Sequence, residues 1–154
     1  MQKIVETPIG WICKAENIED SHSMIDGVSD LVGPITHYGS PYNKNTFKSC
    51  FSNPERFKNF FIYASFNKKN QPLGGIIWVK DFDFSTKSKL LREFIWISKD
   101  PKTSITLFKE SIKDVSKSYQ FDIIVSGNSE ENVKLEKFYE RQGFKKANYF
   151  FKKT

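Results

Sequence analysis

The stretch ENVKLEKFYERQGFKK, residues 131–146, carries the most specific pattern of the chain. Its large apolar residues recur at the three- and four-residue spacing of one helix face; they are Leu135, Phe138 and Tyr139. Asn132 stands near the start of this helix, on the same face as Tyr139 seven residues later. Gly143 follows the helical positions, and glycine commonly ends a helix because it accepts a left-handed backbone. The pattern predicts an amphipathic helix that ends at Gly143, after which Phe144 packs back on the core.

Strand and helix patterns alternate along the sequence before this helix. Apolar and aromatic runs bounded by polar turns predict strands over 60–66, 73–80 and 90–98. Helical spacing of apolar residues then predicts a helix over 101–115, a short strand over 121–125 follows, and a final strand is predicted over 145–152. This order predicts an α/β chain of the α+β kind, with a mixed, mostly antiparallel central sheet flanked by helices. The strands on either side of the helix over 101–115 should be parallel, with a right-handed crossover.

The first third of the sequence is less regular. A short strand is expected within 9–14, one helix from Asp20 or Ser21 to about residue 32, and a second from Asn45 to about residue 51, closed by Asn53-Pro54. We therefore predict a single domain over 1–154. Residues 1–58 form an irregular helical part, and residues 59–154 supply the sheet and the remaining helices.

Composition narrows the class of protein. The chain has 154 residues, of which 38% are hydrophobic and 16% aromatic, which is typical of one folded domain and excludes a disordered chain. The longest apolar run, 73–79, is too short to span a membrane. Two cysteines, Cys13 and Cys50, make no disulfide framework and favour a reduced, cytoplasmic setting.

The formal charge of +6 suggests an anionic partner without naming one. Nucleic acid, an acidic membrane or a phosphorylated cofactor would all respond to the same field. The basic residues are scattered and form no dense arm, so a nucleic-acid binder is the least favoured alternative.

Glu93 is a carboxyl that the strand pattern over 90–98 places among apolar side chains. Simple alternation along 90–98 places Glu93 on one face with Leu91, Ile95 and Ile97, and its other neighbours on the opposite face; these are Arg92, Phe94 and Trp96. Burial among apolar side chains raises the pKa of a carboxyl toward a range useful for proton transfer. The alternative is a structural glutamate paired with Arg92 or with a lysine at a strand edge.

Other chemistry-bearing residues give weaker patterns. The two histidines, His22 and His37, lack the spacing to Cys13 and Cys50 that a zinc site needs, and no metal site is predicted. An aromatic group in the N-terminal third lines an acceptor pocket or simply covers the sheet; it comprises His37, Tyr38, Tyr42 and Phe47. No phosphate-binding loop or dinucleotide fingerprint occurs.

The spacing Asn132-x6-Tyr139-x3-Gly143-Phe144, with the element order over 60–152, resembles the GNAT superfamily of acyl-CoA-dependent N-acyltransferases. Residues 20–51 are similar to the variable helical region of bacterial and phage-encoded members. The resemblance implies a GNAT-like fold, acetyl-CoA or another acyl-CoA as the cofactor, and an amine as the acceptor. It also implies direct attack of that amine on the thioester.

The resemblance also implies roles for individual residues. Tyr139 would be the general acid that protonates the coenzyme A thiolate, and Glu93 would be the general base, often through water. Asn132 would contact the cofactor near its pantetheine arm. The remaining cofactor contacts would come from the end of the strand and the start of the next helix, namely Ile97, Lys102, Thr103, Ser104 and Ile105.

The start of that helix departs from the family pattern. The family has Arg/Gln-x-x-Gly-x-Gly/Ala there, because free N–H groups bind the pyrophosphate and glycine lets the backbone come close. This chain has Asp100-Pro-Lys-Thr-Ser-Ile-Thr-Leu, and no glycine occurs between Lys80 and Gln120. Side chains at these positions hinder close approach, and Asp100 adds a negative charge.

Two functions of different classes follow. The first is an N-acyltransferase, most simply an N-acetyltransferase, that acts on a small-molecule or protein amine in the cytoplasm. The second is a GNAT-fold binding or structural module without catalysis, such as a phage virion or host-interaction protein. Such a module would use a protein partner or a second copy of the chain.

Overall fold

The computed structural model describes residues 1–31, 36–37, 40–127 and 133–146. Within these ranges the strands are β1 (Gln2–Thr7), β2 (Gly10–Lys14), β3 (Thr36–His37), β4 (Ser40–Pro41), β5 (Phe60–Asn67), β6 (Pro72–Asp83), β7 (Ser88–Ser98) and β8 (Ile123–Val125). The helices in the same ranges are α1 (Ile18–Ser29), α2 (Lys44–Ser49), α3 (Pro54–Phe57), α4 (Pro101–Val115) and α5 (Val133–Arg141).

Six of these strands form one twisted sheet in the order β1-β2-β5-β6-β7-β8. Neighbours are antiparallel from β1 to β7, while β7 and β8 are parallel, and α4 connects them. The predicted mixed, mostly antiparallel sheet is therefore confirmed. The short strands β3 and β4 pair separately as a two-stranded ribbon.

Helices cover both faces of the sheet. On one face α1 and α2 enclose an apolar core that includes Ile62 and Ile77. On the other face α4 and α5 pack on a core that includes Trp78 and Phe108. Two polar contacts fix α4 to this face: the Trp78 indole N–H donates to Ser111 Oγ at 2.8 Å, and the Tyr63 hydroxyl donates to Asp114 at 2.9 Å.

A β-bulge interrupts β7 in its middle. Trp78 of β6 pairs with Glu93, but the preceding residue Ile77 pairs with Ile95, so Phe94 is an extra residue in β7. A bulge moves every later side chain to the opposite face of the sheet. The simple alternation expected from the sequence is therefore wrong beyond Glu93.

The bulge decides which residues share a face with Glu93. Leu91, Glu93 and Trp96 face α4 and α5, whereas Ile95 and Ile97 pack in the core beneath α1. Phe94 also lies on the α1 side, where its ring stacks on Phe47 with centroids 5.7 Å apart. The structural alternative of a Glu93–Arg92 pair is not formed, since Arg92 makes its ion pair with Asp81.

The N-terminal part contains more sheet than the sequence indicates. Strand β1 was not expected, because only two adjacent apolar residues, Ile4 and Val5, mark it in the sequence. The predicted caps are displaced: asparagines cap α1, α2 and α3, and Asn53-Pro54 begins a helix rather than ending one; the three are Asn17, Asn43 and Asn53. The predicted final strand over 145–152 lies mostly outside the described residues.

The described helices include none that is both long and apolar enough to cross a membrane.

Candidate active site

The candidate site lies where β7 and β8 stop pairing. Strand β8 pairs with Leu90, Leu91 and Arg92 only, whereas β7 continues to Ser98. Beyond Arg92 the described chain supplies no strand partner on this side of β7. The pairing of β7 with β8 therefore ends just before Glu93.

Three oxygen-bearing side chains meet where this pairing ends. Glu93 comes from the bulge of β7, Ser126 directly follows β8, and Tyr139 lies on α5. Ser126 Oγ donates to Glu93 Oε2 and lies 2.7 Å from Tyr139 Oη. Tyr139 Oη donates to the same Glu93 oxygen at 3.2 Å, and the Gly127 N–H also reaches the carboxylate.

The surroundings of this group raise the pKa of both Glu93 and Tyr139. Burial is the main cause that raises the pKa of the Glu93 carboxyl, and the hydrogen bonds from Ser126, Tyr139 and Gly127 oppose it. Burial, together with the negative charge of Glu93, raises the pKa of the Tyr139 phenol. The carboxylate therefore binds a proton more readily than an exposed glutamate, and the phenol keeps its proton at neutral pH.

The end of α5 fixes Tyr139 in place. Gly143 has a φ of +84°, the left-handed conformation that ends the helix, as the sequence predicts. The chain then turns so that the Phe144 N–H donates to the Tyr139 carbonyl at 3.0 Å and the two rings lie 5.4 Å apart. Phe108 and Trp96 complete the aromatic surround, with centroids 6.0 and 6.3 Å from the Tyr139 ring.

Trp96 brings a buried donor next to Tyr139. Its indole N–H has no hydrogen-bond partner in the part of the chain that the structure describes, whereas the corresponding group of Trp78 is bonded to Ser111. An unpartnered buried N–H is rare, because it loses its bond to water and gains none in return.

The Asp100 carboxylate binds the free N–H groups at the start of α4. Asp100 is the N-cap: one of its oxygens accepts the Thr103 N–H and the other accepts the Thr103 hydroxyl, each at 2.8 Å. The Lys102 N–H also bonds the Asp100 carboxylate, the Ser104 N–H bonds the Asp100 carbonyl at 3.1 Å, and Pro101 has no N–H. These bonds, those of Thr103 first, hold the pKa of Asp100 below its usual range, so that Asp100 is negatively charged.

The residues at α4 do not fit the diphosphate of coenzyme A. A helix start binds phosphate through free N–H groups in a site without negative charge. Here Asp100 uses the N–H groups of Lys102 and Thr103 and carries the charge that the phosphate would bring. Thr103 is itself buried, Ser104 is partly buried, and the side chains of Lys102 and Ile105 point outward.

The other predicted contacts are separated from Glu93 and Tyr139. The side chain of Ile97 faces α1 and lines a cavity of about 30 Å³ with Tyr42 and Phe47. Tyr42 hydrogen-bonds Ser29 there at 3.2 Å. Asn132 and Tyr38 lie outside the described residues, as does the side chain of His37. The structure thus brings together the predicted acid and base but not the predicted cofactor contacts.

Ser126 is the site residue that sequence reasoning missed. Its signal is positional: it directly follows β8, whose last residue Val125 pairs with Arg92 in parallel register. The residue after β8 therefore lies level with Glu93, the residue after Arg92. The described residues contain no group of three His, Cys, Asp or Glu side chains that could hold a metal ion.

Solved structures similar to this chain include several acetyltransferases. An aminoglycoside acetyltransferase from an uncultured soil metagenomic sample superposes with a TM-score of 0.67 at 10% identity, covering 93% of this chain and 94% of that one. A GNAT family acetyltransferase from Staphylococcus aureus gives 0.61 at 15% identity over 93% and 98%. The ribosomal-protein-alanine N-acetyltransferase of Brucella melitensis gives 0.59 at 9% identity over 92% and 98%.

At the level of sequence, no family model matches the chain, and no curated protein matches it. The structural neighbours, at these low identities, show the fold. The chain has the fold of the GNAT acetyltransferases over more than nine-tenths of its length.

Proposed function

We propose that the protein is an N-acyltransferase that moves an acyl group from a thioester to an amine by direct attack. The carrying observation is the hydrogen-bonded group of Glu93, Ser126 and Tyr139, which lies where β7 and β8 stop pairing. It combines a carboxyl of raised pKa with a phenol that keeps its proton. Amine acylation needs such a base for the amine and such an acid for the leaving sulfur. The donor implied by the family resemblance is acetyl-CoA.

Glu93 acts as the general base in this proposal. The amine nitrogen attacks the thioester carbonyl, the new C–N bond forms, and the nitrogen loses a proton to the Glu93 carboxylate. Because burial raises the pKa of Glu93, this transfer is better matched than it would be to an exposed glutamate. Ser126 and the Gly127 N–H hold the carboxylate in position while its charge changes.

Tyr139 acts as the general acid. As the C–S bond breaks, the phenol gives its proton to the sulfur, and the protonated Glu93 returns a proton to the tyrosinate. The 3.2 Å contact between Tyr139 Oη and Glu93 Oε2, and the Ser126 hydroxyl between them, provide the path for this return. The net result is an amide and a free thiol, with the amine proton on sulfur and the enzyme restored.

The direct test is thiol release in the presence of an amine. Acetyl-CoA and a short acetyl thioester serve as donors, and the acceptors are an aminoglycoside, an N-terminal alanine peptide and a simple alkylamine. We expect acceptor-dependent thiol release in the wild type and its loss in Glu93→Gln. Release that is absent from the wild type with both donors, or unchanged in Glu93→Gln, would overturn the proposal.

One observation favours a second function, that of a binding module which retains the fold without acyl transfer. Asp100 closes the start of α4, where the family binds the cofactor diphosphate. A module of this kind shows no turnover with either donor, and substitutions at Glu93 and Tyr139 leave its partner binding unchanged. The same thiol-release experiment therefore distinguishes the two functions.

A further inference from the structure

The connection between β7 and α4 is too short and too fully bonded to surround a phosphate. Only Lys99 and Asp100 separate Ser98 from Pro101, the first residue of α4. The Ser98 hydroxyl donates to the Asp100 carbonyl at 2.7 Å, which fixes the backbone on the strand side. On the helix side, both oxygens of the Asp100 carboxylate are bonded to the buried Thr103.

The negative charge at the connection between β7 and α4 opposes the binding of an anion. Asp100 is ionised at neutral pH, because the hydrogen bonds from Thr103 and Lys102 lower the pKa of its carboxyl. A diphosphate placed at the helix start would meet that carboxylate and would find the N–H groups of Thr103 and Lys102 in use. The Lys102 side chain is the one cation of the first helical turn, and it is exposed to solvent.

Glu93 lies five residues before Ser98 on β7, and its hydrogen bonds with Ser126 and Tyr139 involve none of these contacts. The groups proposed for proton transfer are therefore separate from the Asp100 carboxylate at the start of α4. A donor would place its thioester at Tyr139 and Glu93 without using the start of α4 to bind its nucleotide end.

We propose that this chain selects its acyl donor by the acyl-pantetheine end and makes no use of the diphosphate. Acyl-pantetheine thioesters would then serve as donors about as well as acyl-CoA. The inference rests on the proposed acyltransferase function for its kinetic consequence. The closure of α4 by Asp100 can be tested separately by binding.

The experiment compares acetyl-CoA with S-acetyl-pantetheine as donors at one amine concentration, and coenzyme A with pantetheine as ligands in calorimetry. For the wild type we expect values of kcat/KM within about threefold for the two donors, and similarly matched affinities for the two thiols. An advantage of acetyl-CoA and coenzyme A above about thirtyfold would overturn the inference.

Two substitutions separate the effect of the negative charge of Asp100 from the effect of its hydrogen bond to the Thr103 N–H. Asp100→Gly frees the Thr103 N–H and removes the charge, and glycine is tolerated at an N-cap. We expect it to increase the preference for coenzyme A over pantetheine at least tenfold and to leave transfer from S-acetyl-pantetheine unchanged. Asp100→Asn still accepts the Thr103 N–H and should shift the preference less. Asp83→Gly, at the last residue of β6, where the carboxylate accepts the Ser85 N–H, controls for the loss of one negative charge.

The outcomes distinguish this inference from the proposed function. Equal binding of coenzyme A and pantetheine without any transfer overturns the acyltransferase function and leaves the closure of α4 standing. Transfer that strongly prefers acetyl-CoA, with no change in Asp100→Gly, overturns the inference and leaves the acyltransferase. Binding of neither thiol overturns both.

Discussion

The bulge of β7 and the carboxyl end of the same strand differ in the groups that they present to a substrate. At the bulge, Glu93 shares hydrogen bonds with Ser126 and Tyr139. At the carboxyl end, Asp100 caps the start of α4 and accepts the Thr103 N–H. The first region contains the groups that the proposed proton transfers use, and the second has its backbone donors bonded to the chain's own carboxylate. Under the proposed function, reactive groups and diphosphate binding are therefore separable in this chain.

The largest effect is expected from removing the base. Glu93→Gln keeps the size of the side chain but cannot accept the amine proton, and acyl transfer should fall about 100-fold or more. The acid limb of the wild-type pH–rate profile should lie above the ordinary range of a glutamate, since burial raises the pKa of Glu93. Steady-state kinetics between pH 5 and 9 measure both effects.

Glu140→Gln is the matched control, because Glu140 is exposed on α5 next to Tyr139. Its rate should equal that of the wild type. An equal loss in the two variants would assign the effect to net charge rather than to the base.

The substitution Glu93→Gln should also stabilise the fold. A carboxyl whose pKa is raised on folding contributes stability that is present below its unfolded pKa and is lost as the pH rises through the folded value. Glu93→Gln removes this pH-dependent loss, so its melting temperature should exceed that of the wild type at pH 7 by more than at pH 4. A lower melting temperature at neutral pH would mean that the ionised carboxylate is a net stabilising group.

A smaller loss of activity, about 10- to 100-fold, is expected for Tyr139→Phe. The ring and its packing against Trp96, Phe108 and Phe144 remain, and only the proton donor is lost. The loss should be smaller for donors whose thiol is more acidic, since a better leaving group needs less protonation. Tyr119→Phe, which removes a hydroxyl bonded to the Leu90 carbonyl, should leave the rate unchanged.

Sequence reasoning predicted most of the sheet because hydrophobic pattern follows burial. The runs over 60–66, 73–80 and 90–98 are buried on one or both faces, and the structure contains β5, β6 and β7 there. The edge strand β1 has few buried side chains, so no pattern marks it. Asn53-Pro54 was interpreted as a helix end because proline stops helices, yet proline is equally suited to the first helical turn, which it occupies in α3.

The candidate site shows where such reasoning fails. Glu93 and Tyr139 were predicted, but the bulge at Phe94 leaves no mark in the alternation, so Ile95 and Ile97 were assigned to the wrong face. Ser126 joins the site through the parallel pairing of β7 and β8, a contact between residues 33 positions apart. Local sequence pattern does not contain a contact of that range.

Two tryptophans on the α4 face, the buried Trp78 and the partly buried Trp96, allow a test of what an unpartnered indole N–H costs. Trp78→Phe leaves the Ser111 hydroxyl without its indole partner and should lower the free energy of unfolding by about 1–3 kcal/mol. Trp96→Phe removes an N–H that has no partner within the described residues, so its cost should be smaller by about 1 kcal/mol or more. Urea unfolding of both variants measures the difference. Equal costs would mean that ring packing alone determines the stability at both positions.

The smallest effect on stability is expected at the start of α4, where Asp100 is the N-cap. Asp100→Ala removes the N-cap of α4 and should lower the free energy of unfolding by about 1 kcal/mol at pH 7. Because hydrogen bonds lower the pKa of Asp100 in the folded state, this contribution is present above the unfolded pKa and is lost as the pH falls through the folded value. The difference between wild type and variant should therefore shrink in acid, whereas Asp100→Asn should keep most of the cap at every pH. A difference that persists unchanged at pH 2 would show that the charge of Asp100 adds nothing to the stability that its cap provides.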